Sequence, residues 1–96
     1  MAGLRFTWDP RKAASNRRKH GVTFEEARSV FYDEHAVLID DPDHSDDSVD
    51  RFVLLGMSGS ARMLVVVHCY RAHDDLIRII SARRANRSER ATYPAR

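Results

Sequence analysis

Residues 51–81 read RFVLLGMSGSARMLVVVHCYRAHDDLIRIIS, and the fold turns on how this stretch pairs with itself. It contains three runs rich in β-branched and apolar residues: Arg51–Met57, Arg62–Tyr70 and Leu76–Ser81. The segments between them, Ser58-Gly59-Ser60-Ala61 and Arg71–Asp75, are too short for a parallel crossover, so an antiparallel meander is predicted. A two-residue Gly59-Ser60 turn pairs Met57 with Arg62, Leu55 with Leu64, Val53 with Val66 and Arg51 with His68. A second loop symmetric about His73 pairs Tyr70 with Leu76, His68 with Arg78 and Val66 with Ile80.

That register sorts two surfaces. One carries Phe52, Leu54, Val65, Val67, Cys69, Ile77, Ile79 and Ser81, and is expected to receive helices. The other carries Val53, Leu55, Leu64, Val66 and Ile80, with Arg51, His68 and Arg78 in one cross-strand row. Like charges side by side repel and burial penalises them, so the row makes sense if an anion binds there. The alternative is an open sheet edge at which His68 and Arg78 are solvated.

Upstream, Leu4–Trp8 alternates as a short strand. Asp9-Pro10 then caps a helix that runs to Lys19 or His20 and ends at Gly21. Thr23 and Glu26 form a capping box for a second helix, with Phe24, Ala27, Val30 and Phe31 on one face. Ala36–Ile39 is a short edge strand, Asp40–Asp50 an acidic loop, and a final helix begins between Ser81 and Asn86 and stops before Pro94. The order β-α-α-β-β-β-β-α predicts an α+β domain spanning residues 1–96, with one antiparallel sheet and two helices on a face.

Charge is segregated. The 16 basic and 14 acidic residues sum to +2, yet residues 33–50 hold eight of the acids and no Lys or Arg. Two basic segments remain, Arg5–Lys19 and Arg78–Arg96. The acidic stretch is read as a solvated loop, or as an element limiting non-specific nucleic-acid binding. The first helix is basic through Arg11, Lys12, Arg17, Arg18 and Lys19. On the last, Arg83, Arg87 and Arg90 fall at i, i+4 and i+7 beside Arg84, a stripe suited to phosphates.

Other chemistry finds no footing. The longest unbroken apolar run is Met63–Val67, far short of a membrane span, and no signal-like stretch opens the chain. Asp41-Pro42-Asp43 lacks the glycine and glutamate of a calcium loop, and His68, Cys69 and His73 lack zinc spacing. No cofactor motif is present. Cys69, the lone cysteine, is expected to be a buried thiol rather than a nucleophile, in keeping with a reducing cytoplasm.

Several blocks together resemble the BrnT-type toxins. They are Trp8-Asp9-Pro10, Asn16 with Lys19-His20-Gly21-Val22-Thr23-Phe24-Glu25-Glu26-Ala27, Arg51-Phe52-Val53-Leu54-Leu55-Gly56, and Ile77-Arg78-Ile79-Ile80-Ser81-Ala82-Arg83-Arg84-Ala85 followed by Glu89-Arg90 and Tyr93. The resemblance implies a toxin of a type II toxin–antitoxin pair with a RelE-like fold. It further implies ribonuclease activity that halts translation and a BrnA-like, DNA-binding antitoxin in a hetero-oligomer.

A ribonuclease that needs no metal uses the RNA 2′-hydroxyl as nucleophile, and requires a proton carrier and cations for the phosphorane charge. His68 or His20 is expected to move the proton, with Arg78, Arg83 and Arg84 holding the phosphate and Lys19 assisting. His20 also reads simply as a helix C-terminal residue that complements the macrodipole. Lys12, Arg51, Arg84, Arg87 and Arg90 are the expected RNA-binding cations. A gyrase-directed toxin of the same fold and a non-catalytic nucleic-acid-binding module are the competing readings.

Overall fold

Capping residues start the first two helices where the sequence places them. The computed structural model describes residues 3–39, 51–71 and 75–94, so the expected acidic loop 40–50 lies outside the described residues. Strand β1 is Arg5–Thr7 and helix α1 is Pro10–His20. The Asp9 carboxylate accepts the Arg11 N–H at 2.8 Å, and Gly21, at φ 67°, closes α1 by donating its N–H to Arg17 O at 2.9 Å. Helix α2, Phe24–Ser29, follows under a Thr23 cap and runs into a 3₁₀ turn, Val30–Tyr32. Only half of the expected capping box forms. The Glu26 carboxylate turns away to accept Ser58 Oγ at 2.7 Å and Arg62 Nε at 2.9 Å, with Nη2 also bonded.

Strands β2 (Val37–Ile39), β3 (Phe52–Met57), β4 (Met63–Arg71) and β5 (Leu76–Arg84) precede a short helix α3 (Arg87–Thr92). The sheet order is β1-β5-β4-β3-β2. The meander β2–β5 is antiparallel as expected, but β1 pairs with β5 in parallel, so the sheet is not antiparallel throughout.

The register differs from the expected one by a residue at each hairpin. In the first, Ser58 donates to Arg62 O and Ala61 donates to Ser58 O, while Ala61 adopts φ 62°. This turn is longer than Gly59-Ser60 alone, so Met57 meets Met63 rather than Arg62. In the second, Arg71 pairs with Leu76 and Tyr70 with Ile77. A bulge then inserts Ile80: His68 pairs with Ile79, and Val67 with Ser81. The two slips restore β3 and β5 to each other and turn β4 over between them.

Leu64 and Val66 therefore face the helices, packed with Val22, Phe24, Ala27, Val30, Ile79 and Ala82. Val65 lies on the opposite side with Val53, Leu55, Ala85 and Tyr93. Both faces of the sheet are thus packed. Tyr93 is anchored by its hydroxyl, which donates to Asp33 Oδ2 at 2.6 Å. Burial alone would raise the Asp33 carboxyl. Hydrogen bonds from Met57 N–H, the Tyr93 hydroxyl and His35 N–H instead hold it below the usual aspartate range. The same contact pushes Tyr93 up to about 12.

Gly56 passes directly under the 3₁₀ turn. A Cβ there would stand 2.8 Å from both Ala36 Cβ and Val30 Cγ1. Gly56→Ala is expected to destabilise the fold by about 1–3 kcal/mol through overpacking, read as a lowered urea midpoint with an unchanged slope.

His68 supplies a second test. It is fully buried, its ring 4.8 Å from Phe31 and 5.4 Å from Tyr70, and desolvation holds it below its ordinary value of 6.5. Above pH 6.5 both folded and unfolded chains keep this ring neutral. Below it, the unfolded chain takes up a proton that the folded one resists, so stability falls by up to about 1.4 kcal/mol per pH unit. His68→Leu should flatten the decline in urea midpoint between pH 7 and pH 5; an unchanged slope would show that His68 does not set it.

Candidate active-site cleft

Asn16 sits in the middle of α1, where a polar side chain only 5% exposed needs partners. Its amide nitrogen donates to Ala82 O at 2.8 Å and Val22 O at 2.9 Å, and its oxygen accepts Ala82 N–H at 3.0 Å. Strand β1 pairs with β5 only at Leu76–Arg78. Beyond it, the Asn16 amide does for Ala82 what a neighbouring strand would do, and α1 is fastened alongside the bulge.

Helical spacing places Lys12, Ser15, Asn16, Lys19 and His20 along one side of α1. These five residues, with Ile80 and Ser81 of the bulge, line a cleft of about 220 Å³. Among the described residues no Asp or Glu lines it, and Lys12, Lys19 and His20 form no ion pair. An anion entering would find two ammonium groups, an imidazole and the Ser15 hydroxyl, with the β5 backbone at Ile80 and Ser81 behind them.

The structure brings three of the expected residues into this cleft: Lys12, Lys19 and His20. Arg78 stands on β5 two residues before Ile80, opposite Cys69 on one side and Thr7 on the other. It is half-buried and without an ion pair among the described residues. Alternation and the bulge put Arg78, Ser81 and Arg83 on the sheet face turned away from α1 and α2.

The expected row Arg51–His68–Arg78 is not formed. With β4 turned over, His68 points under the helices among Phe31, Phe52 and Tyr70, and Cys69 takes the place opposite Arg78. His68 Nδ1 lies 3.2 Å from Val66 O and Nε2 has no partner among the described residues. At 0% exposure this ring is closed to an RNA phosphate. Cys69 is buried as expected, but on the face away from the helices.

The stripe expected on the last helix is also divided. Arg83 and Arg84 belong to β5, because α3 starts only at Arg87 behind an Asn86–Glu89 capping box. Arg83 is held by both Glu89 oxygens, Arg90 donates to Ala85 O at 3.0 Å, and Arg51, Arg84 and Arg87 are exposed. Ser15, Asn16, Ile80 and Ser81 were not singled out as site residues from the sequence. An asparagine in mid-helix, a weak helix former between lysines at i−4 and i+3, was the available signal for the first two. Nothing local announces the bulge.

The family described as "Ribonuclease toxin, BrnT, of type II toxin-antitoxin system" matches residues 8–89. Comparison with curated protein sequences gives no match. Among solved structures, the chain is similar to the 1.1 Å crystal structure of the Brucella abortus ribonuclease toxin, BrnT. The two share 20% sequence identity and a TM-score of 0.65, over 88% of this chain and 100% of that one. That likeness bears on the α+β fold, its five-stranded sheet and three helices. With the family match extending over most of its length, the chain belongs to the BrnT family of ribonuclease toxins of type II toxin–antitoxin systems.

Proposed function

We propose that the chain is a metal-independent endoribonuclease whose chemistry takes place in the α1–β5 cleft. The observation that carries this reading is a concave site in which, among the described residues, Lys12, Lys19 and His20 converge with neither an acid in the lining nor a counter-ion. RNA supplies its own nucleophile. The 2′-oxygen attacks the adjacent phosphorus as its proton leaves, the bond to the 5′-oxygen breaks, and that oxygen gains a proton. The products are a 2′,3′-cyclic phosphate and a 5′-hydroxyl.

His20 is the proton carrier in this scheme, since His68 is enclosed and arginine does not deprotonate. Lys19 and Lys12 offset the charge gathering on the phosphorane, and Arg78 extends the cationic surface along β5. Arg51, Arg84, Arg87 and Arg90 guide the rest of the strand by phosphate contacts that carry no base information. Cleaved RNA halts translation, and a BrnA-like, DNA-binding antitoxin silences the toxin in a cytoplasmic hetero-oligomer, within a RelE-like architecture. None of the described helices is long and apolar enough to cross a membrane.

The test is incubation of purified protein with RNA in excess EDTA. Cleavage should persist, His20→Ala should slow it by about 10²–10⁴-fold and Lys19→Ala by about 10²–10³-fold, while Arg78→Ala should weaken RNA binding and flatten its salt dependence, with urea midpoints unchanged. A fully active His20→Ala would remove His20 from this role. Binding of RNA without cleavage would favour a non-catalytic module, and gyrase inhibition without RNA cleavage the gyrase-directed reading.

A further inference from the structure

On β5, Arg83 follows Ser81 by two residues on the face shared with Arg78; its guanidinium reaches Arg84 O at 3.3 Å through Nη1 and is gripped by the Glu89 carboxylate. Nη1 donates to Glu89 Oε1 at 2.8 Å and Nη2 to Oε2 at 2.7 Å. Two parallel N–H···O bonds from one guanidinium are also how arginine takes two oxygens of a phosphate. The Arg83 side chain is 31% exposed and that of Glu89 12%, so the arginine presents the more open side of the pair.

We propose that Glu89 is a built-in phosphate surrogate, occupying Arg83 until a phosphate of single-stranded RNA, led from the α1–β5 cleft over Ser81 to the opposite face of the sheet, displaces it. The proposal rests on the ribonuclease reading of that cleft. Three features make the exchange physically reasonable. Glu89 keeps a partner when Arg83 turns away, because its Oε1 also accepts the Asn86 N–H at 2.9 Å. Helix α3 does not depend on the ion pair for its place: Tyr93 is bonded to Asp33, and Arg90 to Ala85 O. Carboxylate and phosphate offer the guanidinium equivalent charge-assisted bonds, so one replaces the other without stranding a cation. The consequence is a tempered affinity. An RNA gains the Arg83 contact only by giving up the carboxylate already there, which weakens binding of strands that do not extend from the cleft to this position.

The experiment measures binding of a 2′-O-methylated RNA oligonucleotide, which lacks the nucleophile, across a salt series. Proteins compared are the wild type, Glu89→Gln, Arg83→Ala, the double variant, and Glu25→Gln as a control for loss of one exposed charge. Glutamine preserves the capping box. Glu89→Gln should bind roughly five-fold tighter at low salt and steepen the log–log salt slope by about 0.7, the increment of one single-strand phosphate contact. In the Arg83→Ala background the same substitution should change neither. In the wild-type protein, where no substitution disturbs folding, RNA should shift the Glu89 side-chain carboxyl resonance. The proposal is overturned if Glu89→Gln binds no tighter, if it tightens binding equally without Arg83 or no more than Glu25→Gln does, or if the resonance stays put with RNA bound. Failure of the wild type to bind RNA at all would instead overturn the ribonuclease reading, and this proposal with it.

Discussion

Three hydrogen bonds from the Asn16 amide determine where the chemistry can be. The β5 strand loses its β1 neighbour after Arg78 and then bulges at Ile80, leaving the Ala82 backbone in need of both a donor and an acceptor. One side-chain amide supplies the pair, with a third bond to Val22 O at the turn after α1. A buried backbone group left unpaired costs about 1–3 kcal/mol, so α1 cannot slide along β5 without a large penalty. Lys12, Lys19 and His20 are therefore carried to fixed places over Ile80 and Ser81. Arg62 reinforces the arrangement by donating to Gly21 O at 3.0 Å while bound to Glu26, tying the end of α1 to the β3–β4 turn.

Seen through these contacts, the formal charge of +2 describes no part of the surface. Arginines that join elements have carboxylate partners: Arg62 with Glu26 and Arg83 with Glu89. In both pairs the guanidinium holds the glutamate below its usual range. The cleft cations and Arg78 have no such partner among the described residues. Structural arginines are thus neutralised where they bind elements together, and positive charge remains where α1 meets β5.

The ends of the first two helices and the antiparallel pairing of β3, β4 and β5 were legible because their causes are local, whereas the parallel place of β1 beside β5 was not. Asp9-Pro10, Gly21 and Thr23 act through atoms two to four residues away, and short connections leave consecutive strands no choice but to pair antiparallel. The register was not legible. Leu64–Val67 is apolar at every position, so its period-two pattern fits either orientation of β4, and a one-residue slip changes which face receives each side chain. Ala61 at φ 62° and the Ile80 bulge decided the matter. His68 consequently went from an expected proton carrier to a buried aromatic neighbour. Arg83 left the expected helical stripe because β5 continues through Arg84, where Ala85 N–H bonds to Met63 O at 2.9 Å.

By itself the sequence determined an α+β chain with basic first and last segments, two well-capped N-terminal helices and a β-meander. Period and capping are properties of neighbouring residues, and charge is simply additive. Only the tertiary structure decided which cations share a site. That choice depends on β4 orientation, on a single bulge and on one asparagine bridging residues 66 positions apart, contacts whose energies exist only once both partners are in place.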